Sequence, residues 1–105
     1  MNPHRTYDAN GKVTEEYWSK NSLLHRLDGP AIVRYRNGQV FKEEWYVNGD
    51  WVPAFSSPVE LLASVVRTFD KVPKNVRTYL RQYFTDKEAK PLINSFRAAT
   101  RIIGA

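Results

Sequence analysis

The chain has 105 residues, 42% of them apolar, a formal charge of +5 and no cysteine. That length predicts a single domain over 1–105, and the missing thiols exclude disulfides, a thiolate nucleophile and cysteine-ligated metal. The charge is uneven: residues 1–57 balance seven Lys/Arg against seven Asp/Glu, whereas residues 58–105 hold nine against four.

The first residues, Met1 to Tyr7, offer no apolar run of the kind a signal peptide needs. The longest apolar-rich stretch, 59–66, is interrupted by Glu60 and Ser64 and is too short to span a bilayer. The expectation is a cytoplasmic protein that does not enter membranes.

A repeat organises the first half. Asn10-Gly11 through Asn21 recurs as Asn37-Gly38 through Asn48, ungapped and 27 residues apart, with Asn, Gly, Val, Glu, Trp and Asn identical at one offset. A copied segment of this length is one supersecondary unit used twice. Turn signals stand at Asn10-Gly11, Asp28-Gly29-Pro30, Asn37-Gly38 and Asn48-Gly49, with a further turn near Lys20-Asn21-Ser22. Asn-Gly and Asp-Gly suit tight hairpins because those turns need positive φ. Strands are therefore predicted near 5–8, 13–19, 23–26, 31–36, 39–47 and 50–53, a β-hairpin repeat sheet over 5–53. A two-residue turn at Asn37-Gly38 would set Arg34 against Phe41 and Ile32 against Glu43. Phe41, Glu43 and Trp45 would then share a face with Ile32 and Arg34, while Tyr17, Tyr35 and Tyr46 lie on the open face.

Residues 53–57 form a joint, and a basic helical cap follows over 57–104. Ser57-Pro58-Val59-Glu60 reads as a capping box with Pro at the first helical position. It starts a helix over about 58–70 with the stripe Leu62, Val65, Val66 and Phe69. A second helix is expected near 74–84, with Val76, Tyr79, Leu80, Tyr83 and Phe84 on one side. Thr85 to Glu88 is another capping box, but Pro91 moves the expected start of the third helix to about 90. Its stripe is Leu92, Ile93, Phe96, Ala99 and Ile103. The fold class is α+β: an antiparallel meander of hairpins followed by two or three helices.

Leu24-His25-Arg26-Leu27-Asp28-Gly29-Pro30-Ala31, with Asn37-Gly38 and Trp45-Tyr46-Val47-Asn48-Gly49, resembles the MORN-like repeat variants of small phage and bacterial proteins. The resemblance covers about residues 10–52. The second unit departs from the pattern, since Val52 to Pro58 replaces the expected His-Arg-x-Asp-Gly-Pro-Ala ending. What the resemblance implies is a run of short hairpins used as a binding or spacing surface, with no reaction and no cofactor. It also implies a phage protein that acts on a component of the host cytoplasm.

His25, Arg26 and Asp28 are the one cluster resembling catalytic chemistry. A His beside an Asp can serve as a general base, but no nucleophile accompanies them. The simpler reading is a turn in which Asp28 accepts a backbone N–H and Gly29 supplies a permissive φ. Two histidines are too few for a metal site unless carboxylates join them. The aromatics of the sheet, Trp18, Trp45 and Trp51 with their Tyr and Phe neighbours, could stack bases, though aromatics at repeat positions more often pack a core.

The basic helices are the stronger interaction candidate. Arg77 and Arg81 are four apart, Lys74 precedes them by a turn, Arg97 and Arg101 repeat the spacing, and Arg67 and Lys71 share a face on the first helix. These groups should point to solvent, where they can meet an acidic protein face or phosphates. A solvated helix surface has the same pattern. Tyr79, Tyr83 and Phe84 are a heavy aromatic load that a homodimer or a partner complex would bury. The expected function is a non-enzymatic protein that binds and inhibits or redirects a bacterial host protein. The alternative is a nucleic-acid-binding module using the same basic helices.

Overall fold

The computed structural model describes residues 3–104, with side chains through residue 98. By its internal contacts the chain divides into two compact units, Met1–Ala54 and Phe55–Ala105. The first is an antiparallel sheet and the second holds three helices, an α+β fold.

The strands are β1 (His4–Tyr7), β2 (Val13–Tyr17), β3 (Ser19–Lys20), β4 (Leu23–Leu24), β5 (Ile32–Arg36), β6 (Gln39–Val47) and β7 (Asp50–Val52). Five form one sheet in the order β1-β2-β5-β6-β7, and β3–β4 is a separate hairpin inserted between β2 and β5. The expected strand 13–19 breaks at Trp18. Its N–H donates to the Ala31 carbonyl (2.9 Å), while its own carbonyl accepts from the His25 N–H (3.0 Å). The backbone thus serves two partners at one residue, and the strand leaves the sheet there.

The repeat is visible in the register. Ser19 pairs with Leu24 and Lys20 with Leu23; 27 residues on, Tyr46 pairs with Trp51 and Val47 with Asp50. Both hairpins turn through two positive-φ residues, Asn21 (51°) and Ser22 (65°) in the first, Asn48 (49°) and Gly49 (86°) in the second. His25 and Val52, equivalent under the offset, are both buried.

The Asn37-Gly38 hairpin forms with φ of 53° and 77°, and its first pairs are Arg36–Gln39 and Tyr35–Val40. A bulge then intervenes, so that Arg34 pairs with Lys42, Val33 with Glu43 and Ile32 with Glu44. The expected Arg34–Phe41 and Ile32–Glu43 pairs do not form. One extra residue in a strand shifts everything beyond it to the other face. Val33 and Tyr35 therefore share a face with Glu43, Trp45 and Val47. Ile32 and Arg34 share the other with Lys42, Glu44 and Tyr46. Ion pairs confirm the second grouping: Arg34 reaches Glu15 at 3.1 Å and Glu44 at 3.5 Å, and Lys42 reaches Glu44 at 3.3 Å. On the first face Glu16 takes both the Arg5 guanidinium (2.7 Å) and the Tyr35 hydroxyl, so Tyr35 is not on the face of Tyr17 and Tyr46.

The helices are α1 (Pro58–Thr68), α2 (Lys74–Leu80) and α3 (Asp86–Gly104). Ser57 caps α1, its Oγ accepting from the Glu60 N–H at 3.1 Å, while the Glu60 carboxylate takes the Ser56 hydroxyl rather than the Ser57 N–H of a full capping box. α1 buries Leu61, Leu62, Ala63, Val65 and Val66; α2 buries Val76, Tyr79 and Leu80. Phe69 turns extended (φ −117°, ψ 142°) and ends α1 two residues early.

α3 starts at Asp86, not near 90. The Thr85–Glu88 box is reciprocal: the Glu88 N–H donates to Thr85 Oγ1 (3.2 Å) and the Thr85 N–H to Glu88 Oε1 (3.3 Å). Pro91 sits inside the helix. So near the N-terminus it removes a single N–H donor, the one that would reach Lys87, and the box outweighs that loss. No residue of α3 through position 98 is buried; Leu92, Ile93 and Phe96 are half-exposed. Among the described residues no helix is long and apolar enough to cross a membrane.

Candidate functional site

The arginines expected to face solvent are largely engaged within their own unit. Arg97 donates from Nη2 to the Asp70 carbonyl at 3.0 Å, and its Nε is buried. Arg67 lies over the Phe96 ring at 5.7 Å. Arg77 donates to the Val72 carbonyl at 3.1 Å. Arg81 stands 3.8 Å from Asp86, with both side chains more than half exposed, a pair worth ~0–1 kcal/mol that another anion can replace. Lys71 falls in the loop after α1, so it shares no helix face with Arg67. Lys74 is exposed at the first position of α2. The Arg101 side chain lies outside the described residues, as do those of Ala99 and Ile103 in the expected α3 stripe.

The three aromatics separate. Tyr79 is 6% exposed, and burial together with the Tyr83 hydroxyl holds its phenol well above the ordinary tyrosine range. Tyr83 is 49% exposed and packs on Tyr79 with ring centroids 5.3 Å apart. Phe84 is half-buried and lines a cavity.

That cavity, about 310 Å³, is the most distinctive feature of the helical unit. Its apolar lining comes from Leu62 of α1, Val72 of the following loop, Leu80 at the end of α2, Phe84 in the turn beyond it, and Ala89 and Ile93 of α3. Leu80–Phe84 and Ala89–Ile93 are each four apart, so each pair follows one side of a helical turn. Phe84 N–H bonds to the Leu80 carbonyl at 3.0 Å, which carries the turn beyond the end of α2. The rest of the lining is polar: Arg77 and Arg81 from α2 and its end, and Asp86, Lys90 and Asn94 from α3. The Arg81 N–H bonds to the Arg77 carbonyl at 3.0 Å, keeping those two side chains one turn apart. The result is an apolar slot with three cations and one carboxylate at its rim. Its size falls at the lower end of ligand-pocket volumes, and its few polar groups converge on an apolar floor.

The sheet unit has a second cavity of about 420 Å³, beside Trp18, Lys20, His25, Arg26, Leu27 and Asp28. Its groups hold one another. Arg26 lies 3.8 Å over the Trp18 ring, donates from Nε to Asp28 (3.0 Å) and from Nη1 to the Pro30 carbonyl (3.1 Å). The Asp28 carboxylate is held chiefly by the Arg26 side chain, with a backbone N–H as a lesser partner. Gly29 has no positive φ; a Cβ there would lie 2.7 Å from Arg26 Cζ, so glycine makes room for the stacked guanidinium. His25 is 4% exposed and accepts the Asn48 N–H at Nδ1 (2.9 Å), tying the first repeat unit to the turn of the second. Burial, with the nearby Lys20 charge, pushes the His25 pKa below its usual value. These contacts are those of a structural histidine. Among the described residues no three His, Cys, Asp or Glu side chains are grouped to hold a metal ion.

Of the residues lining the cavity of the helical unit, sequence reasoning had singled out Arg77, Arg81 and Phe84 as candidates. It had not singled out Lys90, Asn94 and Ala89, although the fourfold spacing 86–90–94 beside 89–93 is readable once α3 is started at Asp86. No protein-family model, curated protein or solved structure matches this chain.

Proposed function

We propose that this chain is a non-enzymatic interaction protein whose helical unit binds an acidic surface of a partner protein. The observation that carries the reading is the apolar slot between α2 and α3 with Arg77, Arg81 and Lys90 on its rim. An apolar pocket bordered by cations is the usual centre of an interface: the apolar anchor supplies affinity and the charges supply orientation and encounter rate. The resemblance of residues 10–52 to MORN-like repeats supports a phage protein whose partner is a bacterial host protein, inhibited or redirected by the contact. Nucleic acid is the second reading of the same cations. The apolar part of the slot's lining favours the protein, because phosphate contacts offer nothing to fill it.

The test compares wild type with Arg77→Glu/Arg81→Glu. The wild type is expected to capture a bacterial protein from lysate, and the double variant, with an unchanged circular dichroism spectrum, is expected to lose it. Anisotropy titrations with short single- and double-stranded DNA and RNA are expected to give no binding at low salt. Capture unaffected by the charge reversal would remove the slot from the account. Binding to nucleic acid that weakens by about 0.7–0.9 log units per phosphate for each tenfold rise in salt would replace the reading with the second one.

A further inference from the structure

We infer that the occupant of the slot is a short amphipathic helix, apolar on one face and acidic on its flanks, rather than a flat acidic surface. The inference rests on the protein-binding reading above and specifies the partner's form. The slot is a concavity lined by Leu80 at the end of α2, Phe84 in the turn after it and Ala89 and Ile93 of α3, so side chains that project from a partner fill it. Leu80 and Phe84, like Ala89 and Ile93, are four residues apart, a spacing that matches anchors at i and i+4 on a partner helix. The rim adds direction. Arg77, Arg81 and Lys90 line the slot with one carboxylate, Asp86, so its lining carries a net charge of +2 (three cations, one carboxylate). Carboxylates flanking the anchors would meet these cations. Arg81 is positioned to change partners, because Asp86 holds it at 3.8 Å in water. Leu80 is buried, whereas Phe84, Ala89 and Ile93 stay half-exposed and α3 buries none of its apolar stripe through Phe96.

The experiment uses the full chain and three labelled helix-forming peptides of about 16 residues. The first carries leucines at i and i+4 flanked by glutamates, the second has lysines for the glutamates, and the third has serines for the leucines. The acidic leucine peptide is expected to bind with a micromolar dissociation constant, and the other two at least tenfold more weakly. Asn94→Glu, an exposed rim change, should weaken the acidic peptide about tenfold, and Ala89→Trp should abolish binding by filling the slot. Equal affinity for the acidic and lysine peptides, binding indifferent to Asn94→Glu, or no binding up to 1 mM would each overturn the inference. Should the peptides fail while Asn94→Glu still abolishes capture of a lysate protein, the protein-binding reading stands and the helical occupant falls.

Discussion

At the scale of the residue, His25 shows how one side chain joins the two repeat units. Neutral imidazole accepts the Asn48 N–H at Nδ1, and protonation converts that acceptor into a donor. The folded-state pKa lies below the unfolded value, so between the two the unfolded chain binds more protons and stability rises with pH. The expected outcome is an unfolding free energy that is level above about pH 6.5, the ordinary histidine value, and falls as pH drops below it. Denaturant melts of wild type and His25→Gln should show that slope only in wild type. A separate decline belongs to Glu16 and Glu44. Glu16 is held below the ordinary carboxylate value chiefly by the Tyr35 hydroxyl and then Arg5. Glu44 is lowered by Lys42, Tyr46 and Arg34 against the cost of its burial. Stability from these two is full above their unfolded pKa and is lost in acid as pH falls through the lower folded values. Gly38, with φ of 77°, supplies the positive φ that an Asn-Gly turn promises; Gly38→Ala should cost about 1–2 kcal/mol, measured by chemical unfolding. Gly29 was not legible in the same way. Asp-Gly-Pro resembles a turn signal, and only the position of Arg26 over Trp18 shows that its glycine answers to space rather than to φ.

At the scale of the element, sequence pattern carried the strands and caps and failed where long-range pairing decided. The two-residue Asn37-Gly38 and Asn48-Gly49 turns, the Ser57 cap and the Thr85–Glu88 box are local chemistry and were readable. The bulge between Arg34 and Tyr35 was not, because Phe41 is 51% exposed and its hydrophobicity does not choose a face. The break at Trp18 depends on Ala31 and His25, thirteen and seven residues away, and no window around Trp18 contains both. α3 weighs a cap against a proline, and the cap prevails. Thr85→Ala should therefore cost about 1 kcal/mol and reduce helicity by circular dichroism. An unchanged melt would mean that packing against α1, not the box, starts the helix.

At the scale of the whole molecule, charge is divided as the two units are. The sheet unit pairs its acids and bases among themselves, through Arg5–Glu16, Arg34–Glu15 and Lys42–Glu44. The excess of +5 sits in the helical half, together with the slot. The location of that excess was legible in the composition. The slot was not, because it arises from how three helices pack, although its Leu80, Phe84 and Ile93 were already in the helical stripes. An acidic partner should bind with modest salt dependence, since the apolar anchors are unaffected by screening and only the rim charges weaken. The most direct measurement is a two-dimensional ¹⁵N–¹H spectrum of the labelled full chain titrated with the acidic leucine peptide. Shifts concentrated at Val72, Arg77, Leu80, Arg81, Phe84, Ala89 and Ile93, with the sheet unit still, are the result this account predicts. Shifts centred on the Trp18–Arg26 cavity or on the exposed Phe41 and Trp51 would contradict it, placing binding on the hairpin repeats instead.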